Sequence, residues 1–288
     1  MLSLTTKRGN IISIDKLCIE QSKILKSYTI EPESFASGTF GDIYSLINND
    51  TKISDKILKI TTIYYSSVEE MKKYFENMTK KPIEKQNMEQ FTIAYNSEYM
   101  KSKKKFTDEV KTLELIKNLD ISPTLYDAFV CKNICITTST GNNILQDIGF
   151  IIVDRYSTSF DNIIYTIEQY SFSENVIKNF IDNVWKSYHI FNRLNVDGIQ
   201  PNNILVKINN NIITKMVIGD WGDFADENEI YPITFEYVKN RILNDLGIID
   251  QYNQTTKIDK DFHGGVKNMY KEKYLKYKSK YLQLKNKI

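Results

Sequence analysis

Between Ser34 and Leu46 the chain reads SFASGTFGDIYSL, placing two of its 11 glycines three residues apart between runs that alternate like strands. A tight turn needs one glycine; two, with Ala36 and Ser37 beside them, suit a loop whose backbone N–H groups approach a ligand closely. The strand-turn-strand setting restricts what such a loop can be. Phosphate loops of the P-loop and dinucleotide-binding folds run from the glycines into a helix, and no helical pattern follows Gly41.

The surrounding text extends this pattern. Residues 33–60 predict an antiparallel meander of strand, glycine turn, strand, the polar turn NNDTK, and the strand DKILKI. A charged insertion at 62–105 is expected to be helical in part and mostly solvated. FTDEVKTLELIKNLDISP then sets Val110, Leu113, Ile116 and Leu119 at helical spacing, with Thr107 or Asp108 as cap and a stop before Pro123. TLYDAFVC, ICITT and GFIIVDRY read as strands. Beyond Asp154 the pattern turns helical, with SFDNIIYTI and then SENVIKNFIDNVWKSYHIFNRL, capped by Ser171 or Ser173; two short strands, NILVKI and IITKMVIGD, follow. A sheet-rich half joined to a helix-rich half predicts an α+β fold of two lobes with a cleft between them. The expected division is an extension over 1–28 with a short helix in IDKLCIEQSKIL, a first lobe over 29–154, a second over 155–262, and a tail over 263–288. In the tail Tyr270, Tyr274, Tyr277 and Tyr281 make one helical stripe after the hinge glycines Gly264 and Gly265.

Composition narrows the chemistry. With 288 residues, 26% charged and 41% hydrophobic, the chain is of ordinary globular composition, and a net charge of +2 gives no field that would imply nucleic acid or a membrane as partner. No apolar run is long enough for a transmembrane helix, and the N-terminus, with Lys7 and Arg8 ahead of any long apolar core, does not read as a secretory signal. Cys18, Cys131 and Cys135 lack paired spacing and read as idle thiols in a reducing compartment, so a cytoplasmic protein is expected. Two histidines, His189 and His263, supply poorly any metal site or catalytic triad built on them. Carboxylates, lysines and glycines must carry the chemistry.

Those residues fall into a familiar order. Ala36, Ser37, Gly38, Thr39, Phe40, Gly41 and Ile43 match the Gly-rich loop G-x-G-x-x-G-x-V, with Ala36 at the first glycine and Ile43 at the valine. Lys59 lies in the following strand. Glu109 is the preferred carboxylate to hold it, because its i+4 neighbour Leu113 is apolar and can pack inward, whereas Asn118 follows Glu114 at that spacing. NVDGIQPNNILV and VIGDWGDF follow in the second half. Together these segments, over about residues 33–225, resemble the protein kinase-like superfamily.

The resemblance implies an ATP- and Mg²⁺-dependent phosphotransferase, most similar to kinases acting on Ser or Thr hydroxyls of proteins. In it Lys59 contacts the nucleotide phosphates, Asp220 and Asn203 hold metal, Val153 guards the pocket, and Asp154 and Tyr156 lie where adenine is received. Two departures accompany it. The spacing H-R-D-x-x-x-x-N fits Asp197 with Asn202 and makes Asp197 the base, but Pro201 and the strand from Ile204 fit Asn203 as ligand, which puts Gly198 at the base position and Val196 at the histidine position. The first register gives an enzyme; the second gives a pseudokinase, a nucleotide-binding or protein-interaction module. Few residues separate DWG from the hinge glycines and no A-P-E occurs, so the shortened second lobe looks more like atypical kinases of the RIO type or aminoglycoside phosphotransferases. The tail KYLKYKSKYLQLK, in a chain with four arginines, resembles proteins of giant DNA viruses with AT-rich genomes, implying host cytoplasm or virion as location.

Overall fold

The computed structural model describes residues 1–38, 41–48, 53–191, 194, 198–221 and 233–255. The expected tail over 263–288 lies outside them. The chain divides into two compact units, Met1–Tyr156 with Asp220–Asp223, and Ser157–Gly219 with Phe224–Ile288.

The first unit opens with strands β1 (Leu2–Thr5) and β2 (Ile11–Ile14), joined by a turn in which Gly9 has φ +77°. Helix α1 (Lys16–Ile19) is a single turn capped by Asp15, whose carboxylate accepts the Leu17 N–H at 3.0 Å. Strands β3 (Tyr28–Ile30), β4 (Ala36–Gly38), β5 (Gly41–Asn48) and β6 (Ile53–Tyr65) follow, then helices α2 (Val68–Thr79) and α3 (Met88–Ile116), and the long hairpin β7 (Leu125–Thr137) and β8 (Asn143–Asp154). The sheet order is β1-β2-β7-β8-β6-β5-β3, with β4 on β5. It curls until β1 meets the connection between β3 and β4, where the Thr5 N–H donates to Pro32 O at 2.6 Å and the Ser34 N–H to Thr5 O at 2.9 Å.

Strand alternation sorts the side chains onto two faces. Leu4, Ile12, Ile14, Tyr44, Leu46, Leu58, Ile60, Ile148, Phe150 and Ile152 fill the inside of the curl. Phe129 and Phe150 stack there with ring centroids 4.9 Å apart. The opposite face carries Ala36, Ile43, Lys59 and Ile151, which are cross-strand neighbours in register. It is covered by α3, whose Phe106, Glu109, Leu113 and Ile116 are buried.

Three expectations change here. Cys18 and Cys131 are not idle thiols: they form a disulfide with Cα atoms 5.8 Å apart across a sequence separation of 113. Local spacing could not reveal this, because the pairing follows from β2 folding back beside β7. A disulfide of this kind goes with an oxidising environment, so the argument from thiols for a reducing compartment loses its basis. The helix expected from Thr107 or Asp108 begins at Met88 instead, and the Thr107 hydroxyl bonds back to Lys103 O at 2.9 Å in mid-helix. That stretch contains no Gly or Pro to break a helix and ends in the lysine-rich run KSKKK, so the helix passes through the expected cap. The 1–28 extension contributes two strands of the sheet besides its short helix, and β6 continues to Tyr65.

The second unit contains strands β9 (Thr158–Ser159) and β10 (Ser171–Phe172), helix α4 (Val176–Phe191), strands β11 (Ile204–Asn209) and β12 (Ile212–Ile218), and helices α5 (Phe235–Leu246) and α6 (Ile249–Thr255), with sheet order β10-β12-β11-β9. Asn210 and Asn211, both at positive φ, close the β11–β12 hairpin as its twist requires. The segment SFDNIIYTI forms 3-10 turns rather than an α-helix, broken at Thr166 by non-helical backbone angles. Neither Ser171 nor Ser173 caps α4 directly. Ser171 belongs to β10, and α4 starts after the left-handed Asn175. Val176, Ile177, Phe180, Ile181 and Val184 form the buried stripe of α4. Among the described residues no helix is long and apolar enough to cross a membrane.

Candidate functional site

The site begins at the β4–β5 hairpin, where Gly38 pairs with Gly41, Ser37 with Asp42 and Ala36 with Ile43. Thr39 and Phe40 lie outside the described residues. Gly41 has φ +151°, and a Cβ on it would run into the Ile60 carbonyl of β6, so the close approach of β6 already demands glycine there. Ala36 and Ile43 share a face with Lys59, whereas Ser37 projects with Asp42 to the other face.

Lys59 leaves the middle of β6 toward α3, and its Nζ lies 2.6 Å from Glu109 Oε1. The two side chains are 17% and 8% exposed, so the pair is held in a poorly hydrated setting where a charge without its partner is costly. Glu114 is exposed and lies on a different side of the helix. The carboxylate that holds Lys59 is therefore the one whose helical neighbours pack inward.

What fixes α3 at this distance is a residue that the motif reading passed over. Gly149 of β8 lies under the Phe106 ring, and a Cβ on it would run into that ring. Phe106 precedes Glu109 by about one helical turn. The signal was present in the sequence as a lone glycine opening the apolar strand GFIIVD, which marks a close approach of another element. Gly149→Ala should push α3 off the strand, cost about 1–3 kcal/mol and loosen the Lys59–Glu109 pair. Denaturant unfolding measures the loss, and Gly149→Ala combined with Phe106→Leu should recover most of it; full stability in Gly149→Ala would refute the role.

Val153 is buried opposite Ile57. Asp154 is tied into the fold by its carboxylate, which accepts the Thr124 N–H at 3.1 Å and the Tyr126 hydroxyl at 2.8 Å. Burial, then the hydrogen bond to Asp154, pushes the Tyr126 phenol up to about 12. The Tyr156 phenol is raised further, first by burial and then by Asp154 and Asp120. The backbone here is engaged as well, the Asp154 N–H with Thr124 O at 3.3 Å and the Arg155 N–H with Asp55 O at 2.7 Å.

Asn203 stands at the head of β11, and its carbonyl accepts the Gly219 N–H at 2.7 Å, one residue before Asp220. Asn202 is exposed and donates from Nδ2 to Asn203 Oδ1 at 3.1 Å. Trp221, next to Asp220, is wholly buried. Gly198 is buried, whereas Val196, Asp197 and Gly222 lie outside the described residues. Among the described residues no three His, Cys, Asp or Glu side chains gather as a metal site. Magnesium does not require one, since it keeps waters and takes one or two protein oxygens beside those of a phosphate.

No protein-family model matches the chain, and no curated protein is similar to it.

Proposed function

We propose that the chain is a protein kinase-like phosphotransferase that uses ATP and Mg²⁺, with a Ser or Thr hydroxyl of a protein as acceptor. The observation that carries this reading is the buried Lys59–Glu109 pair on the sheet face that also bears Ala36 and Ile43. Bound ATP with Mg²⁺ would supply an activated phosphoryl group. Lys59, oriented by Glu109, would bind phosphate oxygens, and Ile43 and Ala36 would offer an apolar, narrow surface to the nucleotide. Asp220 and Asn203 would hold the metal, and Asp197 would orient the acceptor hydroxyl and take its proton. The two-lobed kinase-like fold, the protein partner and a viral origin belong to the same proposal.

A second reading is favoured by one observation. Asn203, not the exposed Asn202, carries the backbone bond beside Asp220. With Asn203 as metal ligand, Gly198 takes the position of the base, and the chain becomes a pseudokinase that binds nucleotide or a protein partner without transferring phosphate.

Both enzyme and nucleotide-binding module predict that ATP with Mg²⁺ stabilises the protein, by about 2.7 kcal/mol at a hundredfold excess over Kd, read as a rise in Tm. Lys59→Met and Asp220→Asn should each shrink that rise. Lys59→Met also strands the Glu109 carboxylate and lowers the baseline, so the ligand-induced difference is the readout, with Lys59→Met/Glu109→Gln as the control. A wild type indifferent to millimolar ATP would end the nucleotide reading.

A further inference from the structure

The inside of the curled sheet in the first unit is packed with isoleucine, leucine and aromatic side chains except at one end. There a cavity of about 380 Å³ opens between the β1–β2 turn, the β4–β5 hairpin and α2. It faces away from Lys59, because Asp42 and Ile60, which line it, alternate with Ile43 and Lys59 along their strands. Eight-stranded curled sheets are of the size that encloses one small ligand, and their mouths are common binding sites.

The lining is of two kinds. Ile12, Ile60, Ile136 and Ile144 make an apolar floor. Around it stand Arg8, Asp42, Thr62, Tyr65, Tyr74 and Gln146. Arg8 has no ion-pair partner among the described residues. Asp42 uses Oδ1 to accept the Lys7 N–H at 3.2 Å and the Ser34 hydroxyl at 3.3 Å, leaving Oδ2 for another donor. A guanidinium calls for an anionic group, and its planar donors match phosphate or carboxylate oxygens. Asp42 and the hydroxyls call for a ligand rich in O–H groups, and the isoleucine floor suits the C–H face of a compact ring.

We propose that this cavity binds a small polyhydroxylated anion of the sugar-phosphate class, at a site separate from the Lys59–Glu109 face. The site is built by the N-terminal hairpin, which brings Arg8, and by α2, which brings Tyr74.

The test uses the full chain and three probes, glucose 6-phosphate, glucose and inorganic phosphate, followed by calorimetric titration. Glucose 6-phosphate should bind saturably at one site per chain, at least tenfold tighter than either glucose or phosphate. Arg8→Met should weaken it tenfold or more without unfolding the protein. Lys59→Met should leave it unchanged, which separates this site from the nucleotide reading. The proposal is overturned if glucose 6-phosphate does not bind, if phosphate alone binds as tightly, if Arg8→Met binds like the wild type, or if Lys59→Met abolishes binding.

Discussion

Asp197→Asn should lower phosphotransfer by about 10²- to 10⁴-fold while leaving nucleotide binding nearly intact, because the amide keeps the shape of the carboxylate but cannot accept the hydroxyl proton. Transfer of label from ATP to the protein itself or to a generic protein acceptor measures the rate, and the ATP-induced rise in Tm measures binding. Equal transfer by wild type and mutant would remove Asp197 as base. Binding by both without transfer by either would favour the pseudokinase. Gly198→Asp is then the decisive reversal, since gained activity would assign the base position to 198. The second register, which puts Gly198 at the base position, makes that reversal worth performing.

Removing the Cys18–Cys131 disulfide should cost the protein about 5 kcal/mol, a large part of the roughly 5–15 kcal/mol that holds a typical domain folded. The figure follows from the long loop that the bond closes, with a sequence separation of 113, in the chain-entropy account of crosslinks. Denaturant unfolding of Cys18→Ser/Cys131→Ser against wild type reads the loss. Thiol titration of the unfolded, unreduced protein gives an independent count: it should find Cys135 alone reactive. Three reactive thiols, or a double mutant as stable as wild type, would contradict the bond. Both side chains sit in the packed interior of the curl, so serine there adds the cost of burying a hydroxyl, and Cys18→Ala/Cys131→Ala separates that cost from the loss of the crosslink.

What could be read from the sequence was what neighbouring residues decide. The pairing of Lys59 with Glu109 was legible because helical periodicity puts Glu109 and Leu113 on one side, and the side that carries buried leucine is the side that meets the sheet. The β4–β5 hairpin was legible from its glycines and alternation. The start of α3 was not, because a threonine that suits a cap also serves in mid-helix when the residues before it favour helix. Strands β1 and β2 were missed for another reason. Four residues each is too short for a pattern, and the strand that ties their hairpin into the sheet, β7 beside β2, lies far along the chain, with Ile11 opposite Thr137. The disulfide inherits that obscurity. Gly41 carries a lesson of its own: it was read as a place for phosphate, yet the Ile60 carbonyl is reason enough for a glycine there.

The register of β2 against β7 also sets a timetable. The hairpin of β1 and β2 leaves the ribosome long before β7, so Ile11 and Ser13 cannot find Thr137 and Cys135 until most of the first unit has been made. Until then the apolar side chains of Leu4, Ile12 and Ile14 have nothing lasting to cover them, though each is almost wholly hidden in the finished protein. Pairings this distant slow folding, and they expose unpaired strand edges to other chains meanwhile. Strands made well before their partner are therefore among the last to be secured, and a nascent chain stalled before β7 would carry an open, sticky sheet with one cysteine of the crosslink still waiting for the other.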